Sequence, residues 1–234
     1  KVASFNVLNF FTTLNQGGAT TALGLPPRGA NTPAEFARQA EKLVTTLLAL
    51  DAHIIGLNEL ENDFLAGALG NSVSLLVDLM NATLGESRYA WVDPGMRFVG
   101  SDAIAVGFVF DTGAVRIAEG TRVAILDDAV IAALDPSLLA RSSIGAIFNG
   151  PNTSRAVLAV TFEEIASGEA FTATVNHFKS KSGTGTGADA DRLDGQGNWV
   201  NQRLLAAEAL DLWLATHPTG SADPDRLILG DLNS

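Results

Sequence analysis

Four short polar groups interrupt apolar runs at widely separated points of a 234-residue chain. Asn6 lies in Ser4-Phe5-Asn6-Val7-Leu8-Asn9, and Glu59 ends Gly56-Leu57-Asn58-Glu59. Asn176 and His177 follow Val175, and Asp231 and Asn233 lie in Leu229-Gly230-Asp231-Leu232-Asn233. Glu and Asp offer hard oxygen ligands suited to Mg²⁺ or Ca²⁺. His exchanges a proton near neutral pH, and Asn orients a water or a phosphate without adding charge. Lys179, Lys181 and Arg203 add cationic groups that can meet phosphate. Together such a set can bind a divalent ion and hydrolyse a phosphodiester. Each residue taken singly has an ordinary reading: a satisfied strand Asn, a solvated acidic loop at Glu59-Leu60-Glu61, a structural His, a turn Asp. Their joint placement at the ends of apolar runs is what points to chemistry, because a rigid sheet holds strand ends in fixed geometry.

The elements that position these groups follow from local pattern. Val2 to Phe11 reads as a strand. Thr32-Pro33-Ala34-Glu35 combines an N-cap, Pro at the first helical position and a following Glu, and predicts a helix to about Leu50. Ile54 to Leu57 is wholly apolar, as for a strand buried on both faces. A second helix is expected from Ser72 to Leu84, stopped by Gly85. Tyr89–Val92, Ile104–Phe110, a segment from Val115, Arg155–Phe162, Phe171–Val175 and Leu227–Leu229 read as further strands. A helix from Asn201 to Ala215 is expected, with Leu204, Leu205, Glu208 and Leu212 at helical spacing. Ala124 to Leu139 is ambiguous. A Gly/Asp/Ser loop spans Ser180 to Asn198. Many adjacent strands with interspersed helices fit an α+β layered sandwich better than a strictly alternating parallel fold.

Composition bounds the function. Hydrophobic residues make up 47% of the chain, too many for a disordered protein. No apolar run approaches the roughly 18 residues of a membrane span. The 15 Lys and Arg against 26 Asp and Glu leave a net charge of −11, which argues against a simple nucleic-acid-binding module. The chain holds no Cys, which excludes a thiolate metal site or nucleophile.

The blocks Ser4 to Phe11, Gly56 to Asn62, Asn176 to Lys181 and Leu229 to Asn233, in that order, resemble the endonuclease/exonuclease/phosphatase superfamily. Asp194 to Trp199, Arg203 and the Ala-rich helix after it resemble its bacterial secreted nucleases. The resemblance implies a four-layered α/β sandwich, two mainly antiparallel sheets flanked by helices. It implies Glu59 as principal ligand of Mg²⁺ (Mn²⁺ or Ca²⁺ as alternatives), assisted by Asn6. Asp231 and Asn233 would hold the attacking water and the scissile phosphate, or a second ion. His177 would face the phosphate and protonate or stabilise the leaving oxygen, with Asp102 orienting it. The expected substrate is nucleic acid, and the expected protein is an extracellular or periplasmic monomer.

Residues 1–234 are expected to form one domain, part of a longer polypeptide, because the acid–base Asp-His pair that the resemblance implies after Asn233 is not present. His217, in a His-Pro turn before that block, is not given the role. The loop acids Asp189, Asp191 and Asp194 allow a calcium loop, but their spacing departs from the EF-hand pattern. Glu61 stands where pancreatic-type nucleases carry a basic groove-binding residue. Two other functions stay open: a phosphoesterase of the inositol phosphate or sphingomyelin type, and a non-catalytic, metal-stabilised domain of a secreted protein.

Overall fold

The computed structural model describes residues 1–65 and 71–234. Among these residues, nine strands form two sheets. The first contains β1 (Val2–Phe10), β2 (Ile54–Glu61), β3 (Tyr89–Trp91) and β4 (Ile104–Asp111), in the order β1-β2-β4-β3. The second contains β5 (Val115–Ile117), β7 (Val157–Glu164), β8 (Ala170–His177) and β9 (Arg226–Asp231) in that order, with β6 (Ala124–Leu126) also paired to β7. Neighbours are antiparallel except at two pairs, β1 with β2 and β8 with β9.

Helices α1 (Pro33–Leu50) and α2 (Ser72–Leu84) cover the first sheet, their Leu43, Val44, Leu47, Leu76 and Met80 sharing one core with Ile55, Leu57 and Leu60. Helices α3 (Asp128–Leu134), α4 (Pro136–Arg141) and α5 (Val200–Leu214) cover the second sheet through Ile131, Leu138 and Trp213. Phe108, Phe110 and Phe162 fill the space between the sheets. This is the expected four-layered sandwich.

Local chemistry explains several elements. Thr32 Oγ1 accepts the Glu35 N–H and starts α1, whereas Glu35 turns back to the Asn31 N–H rather than to that of Thr32. Gly85 ends α2 in the left-handed conformation at φ 73°. The ambiguous stretch resolves into β6 and two short helices, capped by the carboxylates of Asp127 and Asp135. In α5 the Leu residues at helical spacing do not all face inward. Leu204 and Leu212 are exposed, while Leu205, Ala206, Ala209, Leu210 and Trp213 are buried. Small Ala side chains let the helix approach the sheet. Among the described residues, no helix is long and apolar enough to cross a membrane.

Candidate active site

The two sheets approach each other closely near the polar strand ends. A Cβ on Gly56 would sit 3.2 Å from Val175 Cγ2, so Gly there permits the close approach of β2 to β8. Two residues on, the buried Asn58 donates its Nδ2–H to the carbonyl of Asn176 at 2.6 Å, tying the sheets together. The chain then bulges. Register shifts interrupt β2 between Leu57 and Leu60, and β1 between Asn6 and Phe10. Glu59 takes φ 67°, with Leu8 and Asn9 at 56° and 54°. Left-handed backbone at non-Gly residues is costly and re-aims side chains. Here it directs Glu59 towards β1. The Asn6 Nδ2–H donates to Glu59 Oε1 at 2.9 Å and the Asn9 N–H to Oε2 at 3.0 Å.

The second sheet supplies the opposing wall. His177 and Asp231 are register partners across the parallel β8–β9 pair. Gly230, the partner of Asn176, has φ 118°, and a Cβ there would overlap the Asn176 backbone. Only Gly lets β9 run this close before Asp231. His177 Nε2 lies 4.0 Å from Glu59 Oε1 and 4.0 Å from Asp231 Oδ2. Both gaps exceed hydrogen-bond length. Asp231 Oδ1 accepts the Asn233 N–H, and the Asn233 amide donates to the Phe178 carbonyl. The structure thus brings Asn6, Glu59, His177, Asp231 and Asn233 to one edge.

Arg155 belongs there as well, and sequence reasoning missed it. Its N–H donates to the His177 carbonyl, and its guanidinium is 14% exposed. The Nε stands 3.4 Å from Asp102 Oδ2 without hydrogen-bond geometry. Burial lowers its affinity for a proton, with Asp102 opposing. Its position at the head of an apolar strand was the available signal. Burial, and then the Arg155 charge, push His177 down to about 4, so the imidazole is neutral at pH 7. His177 thus faces the site as a neutral hydrogen-bonding group.

Four expectations are corrected. Asp102 does not orient His177, whose buried Nδ1 has no partner; it pairs with Arg28 and Arg155 instead. Asn176 is fully buried and donates to Thr174 Oγ1 and the Leu229 carbonyl, so it braces strands and cannot reach a phosphate. The Lys179 ammonium turns to Ser180 and Ser182 and lies over the Trp199 ring. Arg203 donates to the carbonyls of Lys179, Asn198 and Gln196. Both are buried struts of the 180–198 loop, because otherwise unmet loop carbonyls require donors. Lys181 is half-buried, its stem against Gly197.

The acids of that loop cap its turns and tie it to its neighbours. Asp189 accepts from Ser143 and Gln202, Asp191 from the Leu193 N–H and Asp194 from the Gln196 N–H. Glu61 also points inward, accepting from Thr12 and Thr13, so it presents no acid to a groove.

Among the described residues, no three of His, Cys, Asp and Glu gather as a metal cage. Mg²⁺ needs no such cage, being held by one or two carboxylates with water and phosphate oxygens. Glu59 and Asp231, on either side of His177, fit that requirement. An apolar groove of 560 Å³ between α1 and α2, lined by Phe36, Ala40, Val44, Leu75 and Leu79, lies away from this edge.

No protein-family model and no curated protein matches the sequence. Solved structures match its fold. A mannosyl-6-phosphatase from Bacteroides thetaiotaomicron superposes with a TM-score of 0.53 at 13% identity, over 99% of this chain and 64% of its own. An endonuclease/exonuclease/phosphatase family protein from the same organism gives 0.52 at 13%, over 99% and 62%. The chain has the endonuclease/exonuclease/phosphatase fold. A conserved protein of unknown function from Enterococcus faecalis gives 0.51 at 11%, over 100% and 66%. The chain spans less than two thirds of the length of these structures.

Proposed function

We propose that the chain is a divalent-metal-dependent phosphodiester hydrolase, a secreted nuclease that cleaves nucleic acid by in-line attack of water. The observation that carries this reading is the meeting of Glu59, His177 and Asp231 from two sheets, with His177 Nε2 4.0 Å from each carboxylate. Glu59, assisted by Asn6, and Asp231 would hold Mg²⁺, with Mn²⁺ or Ca²⁺ as alternatives; the ion would supply charge neutralisation at the phosphate. The fold's solved examples include a phosphatase, which is in keeping with phosphate-ester chemistry.

The chain's own groups have distinct tasks in this reading. The gap between His177 Nε2 and Asp231 Oδ2 accommodates one oxygen, hydrogen-bonded to both at about 2.8 Å. A neutral imidazole can donate one hydrogen bond to a phosphate oxygen, and bound phosphate charge then favours its protonation. The Arg155 guanidinium neutralises charge that builds on the equatorial oxygens. Asn6 holds the Glu59 carboxylate in place, and the Asp231–Asn233 turn fixes Oδ2. An extracellular or periplasmic monomer is the setting that the resemblance to secreted nucleases supports.

Plasmid nicking with Mg²⁺, Mn²⁺ or Ca²⁺ tests the proposal, using the wild type beside Glu59→Ala and His177→Ala. Nicking by the wild type, reduced at least a hundredfold in both variants, is the expected result. Hydrolysis of a small phosphate ester without nicking would replace the nuclease with a phosphoesterase of the inositol phosphate or sphingomyelin type. No hydrolysis of either would leave a metal-stabilised binding domain.

A further inference from the structure

Arg28 and Arg155 share one carboxylate. Arg28 Nη2 lies 3.0 Å from Asp102 Oδ1, and Arg155 Nε lies 3.4 Å from Oδ2. Two cations on one anion leave the trio with a net positive charge in a protein of net charge −11. The two arginines differ in exposure: Arg155 is 14% exposed beside His177, and Arg28 is 44% exposed on the rim.

Both sides of this trio are fixed. Gly29 lies so close to the end of β1 that a Cβ there would come within 2.7 Å of Phe11 Cβ and 3.0 Å of the Asn9 carbonyl. Asn9 is the residue whose N–H binds Glu59, so the backbone that carries Arg28 is pinned beside the Glu59 end of the site. Leu25, on the same loop, packs with Phe11, Ala103 and Ile104. From the other side, the buried Asn62 amide donates to the carbonyls of Val99 and Asp102, and accepts the Val99 N–H. Such tethering is more than a surface ion pair needs, since an exposed pair contributes little to stability.

We propose that Arg28, held by Asp102 beside Arg155, forms a second phosphate subsite, which takes the phosphate next to the scissile one in a nucleic acid strand. This deepens the phosphodiesterase reading and rests on it. Arg155 serves the inner phosphate beside His177. Arg28, half in solvent, offers its free guanidinium edge to the adjacent phosphate, where a planar donor fork matches two oxygens. Asp102 is a positioning residue that keeps both forks aimed. A strand with consecutive phosphates engages both arginines, whereas an isolated phosphodiester engages only the inner one.

The test is steady-state kinetics with Mg²⁺ on a single-stranded 12-mer and on bis(p-nitrophenyl) phosphate. Arg28→Gln is expected to raise KM for the 12-mer roughly tenfold more than KM for the small ester, with kcat for the 12-mer within about twofold. The salt dependence of 12-mer binding should flatten by about one phosphate contact. Arg28→Lys, which keeps the charge but not the fork, should recover part of the loss. Equal KM changes for the two substrates, or none, overturn the subsite. Should the wild type hydrolyse neither substrate, the phosphodiesterase reading fails, and fluorescence anisotropy of a labelled 12-mer with Ca²⁺ decides the subsite alone. Weaker binding and a flatter salt slope for Arg28→Gln then support it, and unchanged binding overturns it.

Discussion

His177 and Asp231 face each other across the parallel β8–β9 pair, with Nε2 and Oδ2 4.0 Å apart. That relationship depends on Gly230, whose φ of 118° and lack of a Cβ let the two strands lie together at Asn176. Gly230→Ala is therefore expected to cost at least about 3 kcal/mol, by strain and by overlap with the Asn176 backbone. Urea unfolding measures it. A midpoint within experimental error of the wild type would show that the strands part without penalty.

The pH dependence of stability follows from His177. Burial holds its pKa at about 4 in the fold, against 6.5 for the free group. Between these values the unfolded chain binds a proton that the folded protein refuses, so stability falls as pH drops through that window. In EDTA, this one group should remove about 2 kcal/mol between pH 7.5 and pH 5. His177→Asn should lack that portion of the loss. Parallel unfolding curves at the two pH values check it, and identical losses in both proteins would show that the imidazole is not held neutral.

Asp102 sits between two guanidinium groups, and Arg155 has little access to water. Asp102→Asn leaves Arg155 without its counter-charge, at a cost of roughly 2–4 kcal/mol. Arg155→Met/Asp102→Asn together should be less destabilised than the sum of the singles, because the pair leaves no stranded charge. Thermal unfolding of the four proteins gives the coupling; additive losses would mean that the two side chains do not depend on each other.

The placement of Glu59, His177 and Asp231 was legible because each follows an apolar run within or at the end of its strand. Helix α1 was legible because Thr32, Pro33 and Glu35 act locally. Partnerships across the chain were not. Nothing near Asp102 in sequence shows that it meets Arg28 and Arg155 rather than His177. Lys179 and Arg203 read as candidate phosphate contacts, since only the folded loop reveals the carbonyls they satisfy. The inward face of α5 was hidden for a related reason. Ala206 and Ala209 carry little hydrophobic signal, yet their small size allows the contact that leaves Leu204 outside.

Arg203 separates a strut from a phosphate ligand experimentally. Its guanidinium donates at 2.7 Å to the Gln196 carbonyl and at 2.8 Å to that of Asn198, and the Asn198 side chain accepts the N–H groups of Gly185 and Asp191. Removing the fork strands these carbonyls and slackens the turn that gathers the loop. Arg203→Met should cost about 1–3 kcal/mol and speed amide hydrogen exchange across residues 183–198, while exchange in β2 and β4 stays slow. Arg203→Lys should not restore protection, because a compact ammonium lacks the planar fork that spans these separated carbonyls. An unchanged loop with a flatter salt dependence of 12-mer binding would instead return Arg203 to the substrate.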